Sequence, residues 1–360
     1  MVTREFWRDR PVFVTGHTGF KGGWLATWLL DLGARVTGYG LTPHTTPSYF
    51  ARCGLAERVT THFADVRDAA ALGAALAAAR PSVVFHLAAQ PIVRLSYRAP
   101  LETIGVNVLG TAGLLEAVRH TPSVEAVVVV TSDKCYENLE RPEGYREDDP
   151  LGGHDPYSAS KAAAELIAAA YRRSFFAAGG PGVATVRAGN VIGGGDWAAD
   201  RLVPDAMRAL VAGQPIHVRN AAAVRPWEHV LEPLGGYLRL AERLAGSDAF
   251  AGAWNFGPRD SDAVPVAALV DLIVGRWEGA RWESRPEGDG PHEAGLLRLD
   301  WSKARERLGW RPGLTLEEAV ELTVAWYRAA AGSGPSRAMY DLSVQQIQHY
   351  EQRWQTAQEP

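Results

Sequence analysis

Along the first half of the chain, short apolar, β-branched runs alternate with stretches of helical periodicity. Residues 12–14 predict a strand, 24–32 a helix stopped by Gly33, and 35–37 a second strand. Residues 83–85 and 127–130 are apolar at every position, the pattern of strands covered by helices on both faces. This alternation predicts an α/β fold, a Rossmann-type doubly wound parallel sheet with right-handed crossovers. Regularity weakens after about Gly189. Gly193-Gly194-Gly195 opens a loop-rich region, and Gly and Pro from Pro204 to Pro233 predict short helices and turns. We therefore expect a main domain over residues 1–188 and a smaller, interleaved C-terminal domain over 189–330 that returns to the main sheet. Residues 331–360 are expected to form a linker and a docked amphipathic helix. In that helix Tyr340, Val344, Ile347, Tyr350 and Trp354 recur at spacings of three and four. Ser343 and Gln346 predict a capping box at its start.

Composition narrows the classes. The net charge of −4 gives no field for nucleic acid or an anionic membrane, so an anionic substrate needs a local arginine cluster. The two cysteines, Cys53 and Cys135, lie far apart with no CxxC or His-rich neighbour, which argues against disulfides and metal and for a reducing, cytoplasmic compartment. The N-terminus has no apolar signal-like core, and no uninterrupted apolar run long enough to span a bilayer is expected.

The chemistry starts at the first strand–helix junction. Gly16-His17-Thr18-Gly19-Phe20-Lys21-Gly22 spaces its glycines by three and three, suiting a tight turn, close approach to a pyrophosphate and close helix packing. The helix N-terminus then offers N–H donors to phosphate. No acid stands at the end of the second strand, where residues 36–40 read VTGYG, so the residues alone leave NAD and NADP open. Asp65, followed by Val66, is a candidate acceptor for an adenine amino group; Asp68 reads equally well as a solvated turn.

Tyr157 and Lys161, four apart on a helical pattern, share one face. In this arrangement an ammonium lowers a phenol's pKa so that the phenolate can take an alcohol's proton. Thr131-Ser132-Asp133-Lys134 stands where the strand at 127–130 ends, the position at which open α/β sheets bind ligands.

Together with His86-Leu87-Ala88-Ala89-Gln90 and Asn107-Val108-Leu109-Gly110-Thr111, these motifs resemble the extended short-chain dehydrogenases/reductases acting on nucleotide sugars. Gly144–Gly153, Arg187–Trp197 and Arg225-Pro226-Trp227-Glu228-His229-Val230 resemble the CDP-glucose 4,6-dehydratase branch more specifically, over nearly the whole chain. The resemblance implies an NAD cofactor held by residues 16–22, Asp65, Val66, Leu87, Ala88, Ala89, Asn107, Thr131, Tyr157 and Lys161. It implies a nucleotide-diphosphate sugar substrate bound by Gln90, Asn190, Arg201, Arg225 and Arg298, with Arg219 solvated. It further implies that Tyr157, Lys161 and Ser132 oxidise C4, that Asp133 protonates the leaving C6 hydroxyl, and that Lys134 takes the C5 proton or stabilises an enolate. No metal, nucleic-acid or membrane partner is expected. A homo-oligomer, dimer or tetramer, is implied, built from helices in the 100–120 and 157–175 regions. A 4-epimerase or reductase of the same fold needs no elimination acid–base pair, so Asp133 and Lys134 weigh against it. A dehydratase for a different nucleotide sugar keeps the same chemistry. A non-catalytic cofactor-binding protein would not need the complete Ser/Tyr/Lys set.

Overall fold

In the computed structural model, residues 2–177, 179–285, 296–332 and 336–358 are described. Seven parallel strands form the main sheet: β1 (Pro11–Thr15), β2 (Arg35–Gly40), β3 (Thr60–Phe63), β4 (Val83–His86), β5 (Ala126–Val130), β6 (Gly182–Ala188) and, from the second half of the chain, β10 (Gly252–Phe256). Their order is β10-β6-β5-β4-β1-β2-β3, so the winding reverses between β1 and β4 and opens a crevice at their carboxyl ends.

Alternation along β1 shows why the sheet needs two covers. Val12 and Val14 enter the core that holds Trp24 and Trp28 of helix Phe20–Asp31, while Phe13 enters the core with Leu72, Leu76 and Leu114. The second cover consists of helices Ala69–Ala79, Pro100–Arg119 and Pro156–Tyr171. Asp68 caps the first of these, accepting from Ala71 N at 3.0 Å, which is more than a solvated turn.

The remaining strands β7 (Asn190–Ile192), β8 (Ile216–Val218), β9 (Val224–His229), β11 (Ala263–Pro265) and β12 (Trp282–Ser284) form two small sheets. β9 lies between β7, its parallel neighbour, and β11, its antiparallel one, while β8 pairs with β12.

Helix Pro100–Arg119 is 20 residues long and, with a mean hydropathy of 1.3, long and apolar enough to cross a membrane by length and composition. No uninterrupted apolar run of that length was expected from the sequence, and Glu102 and Asn107 do interrupt this one. Here Asn107 and Thr111 are buried and the helix packs against Pro156–Tyr171 as part of the sheet's cover.

The terminal helix also differs from expectation. It spans Ser336–Gln358, so Ser343 and Gln346 lie inside it and form no capping box. Ser343 Oγ instead donates to Met339 O and accepts from Trp326 Nε1, and Gln346 Nε2 donates to Leu322 O. Ile347, Tyr350 and Trp354 are buried, docking the helix on Phe20–Asp31, where Trp28 meets Tyr350 edge-on at 5.6 Å. Of the expected linker, residues 333–335 lie outside the described residues.

Candidate active site

A cavity of about 1000 Å³ opens at the carboxyl ends of the main strands and runs from the glycine turn to the small sheets. That is room for a cofactor and a substrate together. The turn is built by close approach. Gly16 has φ +73°, and a Cβ there would stand 2.7 Å from Ala88 N. A Cβ on Gly22 would stand 2.1 Å from Gly16 O. Gly19 caps the N-terminus of helix Phe20–Asp31 and lines the cavity, as do Gly16, Thr18, Phe20, Lys21 and Gly22. This bare cradle at a helix N-terminus fits a dinucleotide's pyrophosphate. Leu87, Ala88 and Ala89 line the same cavity. Ala88 N donates to Thr15 Oγ1, and the adjacent His86 ring bridges Thr15 and Thr111. Burial takes that imidazole down to about 3, so it is neutral and structural.

Several residues implicated in cofactor binding prove to be inward-facing. His17 is fully buried under Gly38, with Nε2 3.2 Å from Thr61 Oγ1, and does not line the cavity. Asn107 also lies behind the lining. Its Oδ1 accepts from Gln90 N, and its Nδ2 donates to Gln90 O and to Ser160 Oγ, tying the 86–90 loop to helix Pro156–Tyr171. Asp65 and Val66 reach the cavity, but the Asp65 carboxylate is engaged by Arg67 through its amide and guanidinium. Thr131 turns its hydroxyl to Glu165 Oε1 at 2.6 Å.

The reactive groups converge from two elements. Ser132, Asp133 and Lys134 follow β5; Tyr157 and Lys161 lie on helix Pro156–Tyr171, whose cap Asp155 accepts from Ser158 N. All five line the cavity. Ser132 Oγ donates to Asp133 Oδ1 at 2.8 Å, and the Lys134 amide donates to the same oxygen at 2.8 Å. Tyr157 and Lys161 lie one turn apart on this helix. Burial pushes the phenol up to about 12, with Ser132 and the Arg201 charge pulling against it. The Lys161 ammonium donates to Val130 O at 3.2 Å; burial, then Lys21, lowers it to about 8. The spacing of four brings both side chains to one face, but burial and the backbone acceptor decide what each one feels.

On the substrate side, Asn190, Arg201 and Arg225 line the cavity, with Arg201 paired to Asp196 at 2.9 Å. Gln90 lines it too, although Nε2 donates to Thr103 and Oε1 accepts from the Ile92 amide. Arg298 is not brought to the cavity lining; its backbone pairs with Tyr145 instead. Arg219, expected to be solvated, is partly exposed at the cavity. Arg219 and Arg94 both line the cavity, and each approaches Asp200 Oδ1, at 3.9 and 4.0 Å. Only the need for a local cationic cluster on an acidic chain pointed toward them. Among the described residues no group of three or more His, Cys, Asp or Glu could hold a metal ion.

The family model described as GDP-mannose 4,6 dehydratase matches residues 13–323. The CDP-glucose 4,6-dehydratase of Salmonella typhimurium is 50% identical over 336 residues, 91% of this chain and 93% of that protein. Among solved structures, the UDP-glucose 4-epimerase of Thermus thermophilus in complex with NAD superposes with a TM-score of 0.76 at 26% identity, over 89% of this chain and 99% of that one. An NAD-dependent NDP-hexosamine 5,6-dehydratase of tunicamycin biosynthesis matches with a TM-score of 0.70 at 25% identity, covering 88% and 97%.

Proposed function

Because the chain belongs to the family of GDP-mannose 4,6-dehydratase and its nucleotide-sugar relatives, we propose that it converts CDP-glucose to CDP-4-keto-6-deoxyglucose. The observation that carries the reaction is the Asp133–Lys134 pair opening on the same cavity as Tyr157, Ser132 and Lys161. The nucleotide is inferred from the half-identical Salmonella relative.

NAD is the cofactor, and when bound it would supply hydride uptake at C4 and return at C6. The glycine turn and residues 87–89 would hold it. Tyr157 takes the C4 hydroxyl proton, with Ser132 beside it. Burial disfavours the phenolate, and the Ser132 hydrogen bond and the positive charge of Arg201 act in its favour. Oxidation at C4 acidifies the C5 proton. Lys134 takes that proton in its neutral form, and Asp133 donates one to the departing C6 hydroxyl. Arg225, Arg201 and Asn190 bind the diphosphate, guanidinium forks suiting phosphate oxygens. In this reading residues 1–188 bind the cofactor and 189–330 mainly the nucleotide sugar.

The same reading includes a homo-oligomer paired through the second helical cover. Leu101, Leu109, Leu166 and Phe175 are exposed apolar side chains on that cover and its continuation. A cytoplasmic location is in keeping with two free, buried thiols.

The test is incubation of purified protein with CDP-, dTDP-, GDP- and UDP-hexoses, with and without added NAD, followed by mass spectrometry. Loss of one water from CDP-glucose alone is expected. Loss from another nucleotide sugar would overturn the base, and isomerisation without water loss would overturn the reaction.

A further inference from the structure

Ser132, Asp133 and Lys134 reach the cavity from one 3₁₀ turn, Asp133–Cys135, and from the residue that caps it. Within that turn, Cys135 N donates to Ser132 O and Tyr136 N to Asp133 O, both at 3.3 Å. Such turns have poor hydrogen-bond geometry, so whatever grips their two ends decides where the side chains between them point.

Both ends lead to one buried ion pair. At the start, Thr131 Oγ1 donates to Glu165 Oε1 at 2.6 Å. At the end, the Tyr136 hydroxyl accepts from Arg187 Nη1 and donates to Asn255 Oδ1 at 2.8 Å. Arg187 closes the bracket: Nε donates to Glu165 Oε1 and Nη2 to Oε2, each at 2.9 Å. The Arg187 and Glu165 side chains are only 2% and 4% exposed, so water does not compete for these bonds. Glu165 lies on helix Pro156–Tyr171 with Tyr157 and Lys161, Arg187 on β6 and Asn255 on β10. The turn is thus tied to the helix that carries the other reactive groups and to two strands of the main sheet.

Tyr136 is itself held firmly. Its ring stacks on Tyr145 at 5.1 Å, and Asn255 Nδ2 donates to Tyr145 O at 2.7 Å and to Asp300 O at 3.0 Å. Burial pushes the Tyr136 phenol well above its ordinary range, so it stays neutral and serves as acceptor and donor at once.

We propose that Tyr136 is a positioning residue for the elimination: its hydroxyl, held between Arg187 and Asn255, fixes the turn that presents Lys134 and Asp133 to the C5–C6 bond of the sugar. This rests on the roles assigned to Asp133 and Lys134. Thr131 grips the Ser132 end of the turn and Tyr136 the Lys134 end. Losing the Tyr136 grip therefore displaces the elimination pair and leaves C4 oxidation at Tyr157 in place. A misplacement of about 1 Å is enough to cost about a hundredfold in rate.

The test is Tyr136→Phe in the NAD-loaded enzyme with the nucleotide sugar it dehydrates, using rapid quench and mass spectrometry for water loss and absorbance for reduced nicotinamide. Arg187 Nη1 keeps Glu147 O, at 3.2 Å, as an acceptor, so the ion pair survives the change. Reduced nicotinamide should form within about twofold of the wild-type rate, while water loss slows by about ten- to a hundredfold, so that reduced cofactor accumulates. Asn255→Ala should show the same partition. Adding it to Tyr136→Phe should slow water loss little further, because both act through one hydrogen bond. Unchanged water loss overturns the proposal; so does equal slowing of oxidation and water loss, which marks a merely structural role. If Tyr136→Phe does not fold, Asn255→Ala decides by the same two outcomes. If the wild-type enzyme removes no water from any nucleotide sugar, the functional reading falls and this proposal with it. Normal water loss in both wild type and Tyr136→Phe overturns the proposal alone.

Discussion

Glu165 and Glu228 are both buried near the reactive groups, yet their surroundings are opposite. Glu165 Oε1 accepts from Thr131 Oγ1 at 2.6 Å and Arg187 Nε at 2.9 Å; Oε2 accepts from Thr185 Oγ1 at 2.6 Å and Arg187 Nη2 at 2.9 Å. Against the cost of burial, Arg187 leads the donors that hold this carboxyl below its ordinary range. No hydrogen bond closes on either Glu228 oxygen, and burial, opposed by Lys21 and the Gly189 N–H, holds it well above that range. Burial alone therefore does not assign a role; the enclosed donors decide whether a carboxyl keeps its charge or its proton. Glu165 is four residues after Lys161 on the catalytic helix and binds the residue preceding Ser132. It thereby locks the two elements that carry the reactive groups. Glu232 is intermediate. It accepts from Gly313 N, Leu314 N and Tyr350 Oη, yet burial still takes it to about 7.

Breaking the satisfied pair should have the largest effect. Arg187→Leu strands the Glu165 charge and should cost about 3–5 kcal/mol of stability in denaturant unfolding; a loss under about 1 kcal/mol would contradict the assigned role. Glu232 tests the intermediate case through pH. Its folded form binds a proton more tightly than the unfolded chain does. Its contribution is therefore complete below about 4.5 and lost as pH rises to about 7, a fall of about 3 kcal/mol. Glu232→Gln should flatten the melting temperature across that window, and an unaltered slope would refute the linkage. Thr185→Val removes one donor to a charged acceptor and should cost about 1.5–3 kcal/mol, measured in the same unfolding experiment. The smallest change should come from Glu228→Gln. With no hydrogen bond to lose, stability should stay within about 1 kcal/mol of wild type; a much larger loss would place Glu228 in the same class as Glu165.

These contrasts mark how far the chain could be read from one end to the other. Residues 12–22 show strand, turn and helix start in their own pattern, because apolar period and glycine spacing are local properties. Tyr157 and Lys161 share a face for the same reason, and Ser132 to Lys134 stand at a strand's carboxyl end because β5 ends there. Where a side chain turns inside that frame was not legible. His17 and Asn107 belong to motifs expected to hold a cofactor, but packing turns both inward. The capping box read at Ser343 and Gln346 failed because the helix begins seven residues before Ser343, and both side chains bond elsewhere.

The sequence by itself thus determined the sheet, the glycine turn and the positions of Ser132–Lys134, Tyr157 and Lys161 on their elements, since each follows from neighbours within a few positions. Tertiary structure alone decided that Arg94 and Arg219 join the cavity, that the Lys161 ammonium meets Val130 O, and that Glu165 is satisfied while Glu228 is not. Those outcomes depend on which distant groups burial brings together, and with water excluded the partner within reach sets the charge.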